Sequence, residues 1–358
     1  MSHKVLIFGA GAIGRGFLAP VLFELNYQIS FVDSNPNLVA QLKRQRKYRA
    51  AIAGPDRYEF ISIPIEEVFL PSERLAVEDY DLVFSCVGPK NCCEIAAHFK
   101  NAQAVISCEN DRSTVDGLKE LSGNDNIFFG IPDVITSYTA PRDLLEIDSL
   151  TTVTEKGELI LERGNYILSE KIKQVDPKEL HMHWMCKLFI HNAPHAIVAY
   201  LGWLKNHTYI HEAMADQEIR EIVMGAMEEI TAGVIGSGYA EKNFANVYKN
   251  TEASRFSNQL LFDEIIRVAR EPIRKISPDN RLVLALRIAL FNGIHPKNIA
   301  YGLNAALRYD NKADEEATYL QNLQEALTTE QLLDRFCGIT PFDPLSQYIQ
   351  AVELPDGF

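Results

Sequence analysis

The chain has 358 residues, more than one hydrophobic core usually supports, so its length alone favours two domains. A hydrophobic fraction of 47% and a charged fraction of 23% exclude a disordered or low-complexity chain. With 35 Lys and Arg against 48 Asp and Glu, the formal charge of -13 repels nucleic acid and anionic membrane, so neither is expected as a partner, and an anionic small molecule would need a local basic pocket.

In chain order, short apolar strands alternate with helical stretches: strand Lys4 to Phe8, helix Ile13 to Leu25, strand Gln28 to Val32, helix Leu38 to Arg44. The rhythm resumes with a strand from Leu82 to Val87, a helix from Cys92 to Phe99, a strand from Ala104 to Cys108 and a helix from Ser113 to Leu121. This is the pattern of βαβ units, so an α/β domain with a Rossmann-type, doubly wound parallel sheet is expected. Between Leu150 and Leu168 the pattern turns to strand alternation, with Glu155-Lys156-Gly157-Glu158 read as the turn of a hairpin or meander that closes the first domain. Beyond His181 the apolar residues recur at helical spacing, as at Ile219, Ile222, Val223, Ala226, Met227 and Ile230. The expected division is a nucleotide-binding domain over 1–180 and a mainly α-helical substrate domain over 181–358, with Val175-Asp176-Pro177 as the hinge.

None of the six cysteines (Cys86, Cys92, Cys93, Cys108, Cys186, Cys337) falls in paired C-x-x-C spacing, so they read as reduced thiols. Met1-Ser2-His3-Lys4 runs straight into a strand without a signal-like apolar region, and Leu282 to Phe291 is too short to span a bilayer. A cytoplasmic protein without a membrane segment is expected.

The strand Val5 to Phe8 leads directly into Gly9-Ala10-Gly11-Ala12-Ile13-Gly14. In a dinucleotide fingerprint the first glycine makes the tight turn, the second lets backbone approach the pyrophosphate and the third lets helix pack on strand, while the helix N-terminus attracts the phosphates. Asp33 ends the second strand where a carboxylate would accept from the ribose hydroxyls, and it would repel a 2′-phosphate; NAD is therefore expected over NADP. Gly9, Ala10, Gly11, Ile13, Gly14 and Asp33 are the expected cofactor residues. Val87 and Gly88, before Pro89 at a later strand end, are added as a bordering turn, although an ordinary βα turn fits them as well.

A second informative stretch runs Cys186-Lys187-Leu188-Phe189-Ile190-His191-Asn192-Ala193-Pro194-His195. If it is α-helical, at roughly 100° per residue, Lys187, Asn192 and His195 share one broad face. Oxidising a secondary alcohol needs a base for the hydroxyl proton and donors for the alkoxide-like oxygen; Lys187 could be the base and Asn192 a donor, without a metal. Lysine can do so only in surroundings that lower its pKa, which Trp184, Leu188 and Phe189 would provide. Spacing alone favours a solvated lysine, a capping asparagine and a satisfied core histidine over a catalytic set.

The string Lys187-x4-Asn192-x2-His195, continued by Ala196 to Gly202, resembles the signature of the polyol-specific long-chain dehydrogenases, the mannitol dehydrogenase family. The similarity extends through Phe8 to Phe17, Val87-Gly88-Pro89, Ser107-Cys108-Glu109-Asn110, Gly225 to Glu229, Arg255-Phe256-x-Asn258, Arg270 to Ile276, Arg281-Leu282 and Pro296-Lys297-Asn298. It implies NAD-dependent hydride transfer that interconverts D-mannitol 1-phosphate and D-fructose 6-phosphate, independent of metal. It also implies Lys187 as general acid/base, Asn192 and Asn110 as donors to the substrate oxygen, His195 as a ligand of a substrate hydroxyl, and a monomer. Asn110 follows a strand at its C-terminal end, where open α/β sheets place ligands.

Two departures from the family pattern bear on the substrate. Val134-Ile135-Thr136 stands where members often carry Val-Asp-Arg, and Pro194 stands where they often carry glycine, so that a kink is expected inside the helix. A basic run, Arg267, Arg270, Arg274, Lys275 and Arg281, could bind a phosphate; Arg274, Lys275, Arg270 and Arg281 are the candidate substrate ligands. A solvated helix end balancing Asp263 and Glu264 explains the same run. The competing functions are a dehydrogenase of an unphosphorylated polyol or a hexuronate, and a non-catalytic NAD-binding sensor.

Overall fold

The computed structural model describes residues 3–166 and 169–358. The chain divides into two compact units, one formed by Met1–Leu180 with Leu260–Phe262, the other by His181–Gln259 and Asp263–Phe358.

Among its described residues the first unit carries twelve strands: β1 Lys4–Phe8, β2 Gln28–Val32, β3 Lys47–Ala53, β4 Tyr58–Pro64, β5 Glu67–Phe69, β6 Leu82–Ser85, β7 Val105–Ser107, β8 Ile127–Asp133, β9 Thr136–Ser137, β10 Thr152–Glu155, β11 Glu158–Glu162 and β12 Lys173–Val175. Eight form a sheet in the order β12-β11-β8-β7-β6-β1-β2-β5, parallel except where β11 meets β8. The expected Rossmann-type sheet is present. Its central strands are apolar without alternation, because helices cover both faces: every residue of β6 and the last four of β1 are buried. Ile7 faces Phe31 on one side and Phe84 on the other in the strand register.

The hairpin expected around Glu155-Lys156-Gly157-Glu158 does not form. β10 lies in a second, four-stranded sheet of order β4-β3-β10-β9, while β11 joins the large sheet antiparallel to β8. Each of the two strands has both edges occupied, leaving no edge for the other. Gly157 is needed for a crossing: a Cβ there would sit 2.5 Å from the Asp133 carbonyl oxygen, at the end of β8. The last residues of the expected strand run, 167 and 168, lie outside the described residues. The β3–β4 hairpin, with seven residue pairs from Lys47↔Pro64 to Ala53↔Tyr58, has no counterpart in the sequence reading.

The second unit is helical. Its central helix, Ala193–Leu204, is buried on all sides from Ala193 to Gly202, as a helix apolar all round its circumference must be. Helices Gln217–Gly236, Ile265–Ala269 and Lys297–Leu307 pack around it. Two motifs of the sequence meet here in a structural role. The Glu229 carboxylate accepts the backbone N–H groups of Asn298 and Ile299 at 3.0 Å each, satisfying otherwise orphaned donors at the start of Lys297–Leu307. Among the described residues, no helix is long and apolar enough to cross a membrane.

Candidate active site

The first unit builds its site from backbone. Gly9, at the end of β1, adopts φ +96°, and a Cβ there would meet the Cys86 carbonyl oxygen at 2.6 Å. A Cβ on Gly14 would lie 1.9 Å from the Gly9 carbonyl oxygen, so only glycine lets the helix approach the strand. Gly11, by contrast, borders open space: nothing lies within 4 Å of where its Cβ would be. After Gly11 the chain is helical through Glu24, with a π-helical stretch over Gly14–Leu18. Arg15, buried within that stretch, donates to the carbonyls of Ala10 and Leu150 at 2.6 Å each, clamping the turn from behind.

Asp33 stands at the end of β2, as a ribose ligand would. Its Oδ2 accepts the Ala10 N–H at 2.8 Å and its Oδ1 accepts that of Asn35 at 2.9 Å. Each oxygen keeps a lone pair, so the carboxylate can shape the turn and still receive hydroxyl protons. The open space at Gly11, the helix start behind it and this carboxylate fit the pyrophosphate and ribose of a dinucleotide. Val87 and Gly88 follow β6, with Gly88 at φ +94°. Asn110, exposed in the bend after β7, directly follows the buried Glu109, whose carboxylate accepts from Val87 and Gly88.

The second unit builds its site from side chains. The stretch Lys187–Asn192 is a π-helix, not an α-helix. This corrects the face expected from 100° steps: five residues apart, Lys187 and Asn192 would diverge by roughly 140° around an α-helix, whereas i→i+5 winding stacks residues at that spacing one turn apart. Pro194 lies inside one continuous helical run from Pro177 to Leu204. Its missing N–H removes one bond from the helix interior, and the i→i+5 winding over Lys187–Asn192 is the local departure from a regular α-helix that stands directly before it.

Lys187 is 4% exposed, which rules out a solvated lysine. Asn192, at the cap position of the following helix, makes no capping bond, and its Nδ2 is buried without a hydrogen-bond partner. An orphaned buried amide costs about 1–3 kcal/mol, so a donor left in this state is available to something that binds. His195 Nε2 pairs with Asp263 Oδ2 at 2.7 Å, and Asp263 in turn accepts from Arg267. Burial alone would raise the Asp263 carboxyl, but Arg267 and then His195 outweigh it and hold it well below the usual carboxylate range. The His195 ring stacks on Phe256 with centroids 5.0 Å apart and meets His191 edge-on at 5.2 Å. His191 Nδ1 pairs with the fully buried Glu252, which also accepts from Arg255.

Sequence reasoning gave no site role to His191 or Glu252, and named Asp263 only as a charge balancing the basic run. The signal was partly there: Arg255 and Phe256 belong to a motif shared with the family, and Phe256 meets both histidine rings while Arg255 pairs with Glu252.

The basic run separates into different roles. Arg267 is committed to Asp263, and Arg270 is exposed. Lys275 is 3% and Arg281 9% exposed, so a solvated helix end is excluded for these two. Lys275 Nζ donates to the Arg270 carbonyl, Arg281 Nε to Asn280 Oδ1 at 3.1 Å, and Arg274 Nε to Glu271 Oε2 at 2.8 Å. Burial first, then Arg281 and Arg274, holds the Lys275 ammonium well below its usual value; burial and Arg274 push Arg281 down to about 9. Tyr200, fully buried beside Arg281 and Arg274, has a hydroxyl with no hydrogen-bond partner. Val134, Ile135 and Thr136 are buried, and Thr136 Oγ1 faces the Val153 carbonyl at 3.1 Å, packed where a Cβ on Gly16 would collide with it.

A Rossmann domain with a glycine turn and a terminal carboxylate, followed by a helical domain bearing a buried lysine and an unpaired amide, defines a two-domain dehydrogenase of the long-chain type. The chain belongs to the mannitol dehydrogenase family: residues 3–121 match the model of the mannitol dehydrogenase Rossmann domain and 179–336 that of the mannitol dehydrogenase C-terminal domain. It is 30% identical to a mannitol-1-phosphate 5-dehydrogenase of Caldanaerobacter subterraneus, covering 97% of both chains. It is 33% identical to one of Geobacillus stearothermophilus, covering 94% of this chain and 96% of the relative. In fold it is similar to Pseudomonas fluorescens mannitol 2-dehydrogenase, solved as a ternary complex with NAD and D-mannitol, at a TM-score of 0.78 and 18% identity over 98% of this chain and 90% of that one. A D-sorbitol dehydrogenase structure aligns at a TM-score of 0.70 and 17% identity, covering 98% and 92%.

Proposed function

We propose that the protein interconverts D-mannitol 1-phosphate and D-fructose 6-phosphate with NAD. Bound NAD supplies the hydride acceptor. In the oxidative direction the buried Lys187 Nζ takes the hydroxyl proton. Asn192 Nδ2 donates to the oxygen as negative charge grows on it, and Asn110 supplies a second amide. His195, its Nε2 held by Asp263, turns Nδ1 to a substrate hydroxyl.

The phosphate rests on one observation: Lys275 and Arg281 are buried with Arg274 beside a tyrosine hydroxyl that has no partner. Cations so placed repel one another, and a dianion that receives their hydrogen bonds and that of Tyr200 relieves the cost. The test is steady-state reduction of fructose 6-phosphate, fructose, fructuronate and tagaturonate by NADH. Fructose 6-phosphate should have the highest kcat/KM; a free sugar or hexuronate ahead of it refutes the phosphate, and no NADH oxidation with any of them, while NADH still binds, leaves a sensor.

A further inference from the structure

β6 and β7 run side by side with Ser85 opposite Ser107, and beyond that pair their loops diverge at the C-terminal edge of the sheet. One side chain spans the gap. Glu109, 3% exposed, accepts from Ser85 Oγ at 2.7 Å and from the Val87 N–H at 2.9 Å on Oε1, and from the Gly88 N–H at 2.9 Å on Oε2. Asn91 Nδ2 completes the turn by donating to the Val87 carbonyl at 2.8 Å. Among the described residues no lysine or arginine pairs with Glu109. A buried carboxylate held only by neutral donors is an expensive choice. It does what no other side chain of this length can, since both of its oxygens are acceptors and face two consecutive N–H groups.

The turn it holds packs on the nucleotide fingerprint, because the Cys86 carbonyl oxygen lies against Gly9. Glu109 also directly precedes Asn110. We infer that Glu109 is a positioning residue of the dinucleotide site: its carboxylate sets the Val87–Gly88 turn against the cofactor and, through the same bend, fixes where Asn110 stands. This rests on reading that turn as part of the cofactor site.

Burial pushes the Glu109 carboxyl above its ordinary range, while Ser85, Gly88, Val87 and Cys92 pull it back. The titratable groups facing it are Cys86, on the β6 side, and Cys92, from the following helix; burial raises both, Cys92 to about 12, so they stay neutral thiols when Glu109 titrates. Protonated Glu109 would offer a hydroxyl to an N–H, so cofactor affinity should fall as pH drops into its raised titration range.

The experiment is NADH titration of the full-length protein from neutral to mildly acid pH. Glu109→Gln should weaken NADH about tenfold at neutral pH, the cost of one unpaired buried donor, and should lose the acid decline seen in the native protein. Ser85→Ala removes one stabilising donor without touching the backbone, and should move that decline to higher pH. Native NADH affinity and an unshifted acid profile in both variants, whatever their melting temperatures, would overturn the proposal. Gly88→Val separates the two levels of inference. If it binds NADH normally, the turn is not part of the cofactor site; if it loses NADH while Glu109→Gln does not, the turn stands and the role of Glu109 falls.

Discussion

The two candidate sites are built on opposite principles. In the first unit the candidate cofactor turn is made of backbone: glycines permit it, Asp33 accepts from it, and Arg15 braces it against the Ala10 and Leu150 carbonyls. In the second unit the candidate site is made of side chains held by partners far along the chain, His191 by Glu252 and His195 by Asp263, on and beside a helix wound out of its usual register. A backbone site leaves its mark in a short string of residues. A side-chain site spreads its determinants across the fold, and its local string conveys little without them.

The largest effect should follow from Lys187. Its replacement by alanine removes the proposed base and should lower kcat by about 10²–10⁴-fold, while NADH binding, which rests on the other unit's backbone, stays unchanged. Single-turnover reduction with an independent NADH titration measures both. A variant with native turnover would place the chemistry elsewhere.

Arg281→Met comes next. It removes one buried cation that the phosphate would engage, and should raise KM for fructose 6-phosphate roughly 10–100-fold with a smaller effect on any residual fructose reduction. Equal losses for both sugars would mean that Arg281 supports the fold and not the phosphate.

How far each region could be read from residues alone follows from this contrast. The parallel sheet, the glycine turn and Asp33 were legible because short apolar runs, a 3.6-residue period between them and a tight turn are local properties. The swap of β10 and β11 into different sheets was not, since a strand-like run does not say which strand it pairs with and the choice of partner lies with the distant β3 and β8. Nor was the π turn legible, because Lys187–Asn192 has no composition that an α-helix would refuse. Family resemblance pointed to Lys187, Asn192 and His195, yet gave no hint that Glu252 and Asp263 hold the histidine pair from sixty or more residues away.

Asp263→Asn sharpens that last point. The native carboxyl is depressed, so its stabilising contribution is complete above the ordinary aspartate range and is lost as pH falls through its lower folded-state value. An amide can still accept from His195 but carries no charge. The variant should lose on the order of 1.5 kcal/mol near neutral pH, the lower end for a hydrogen bond to a charged group, and its stability should lack the part of the acid decline that Asp263 contributes. Denaturant unfolding at several pH values reads both. An unchanged acid slope would mean that Asp263 is not the group that titrates.

The smallest effect is expected from Pro194→Ala, and it bears most directly on the contrast. Pro194 lies in the helix interior just after the π turn, so replacing it restores an N–H that can join the helix while losing the restriction proline places on the unfolded chain, and the net change in stability should stay within about 1 kcal/mol. Turnover should be native if the π winding is set by the packing of Lys187, Phe189, Ile190 and Asn192, all of which are buried. If proline instead sets the register, the alanine variant can rewind Lys187–Asn192 toward an α-helix, turning Asn192 away from Lys187. Then kcat falls far more than stability does, with NADH affinity intact. A kcat loss out of proportion to the change in melting temperature would therefore show that one local residue governs the second site after all, as Gly9 governs the first.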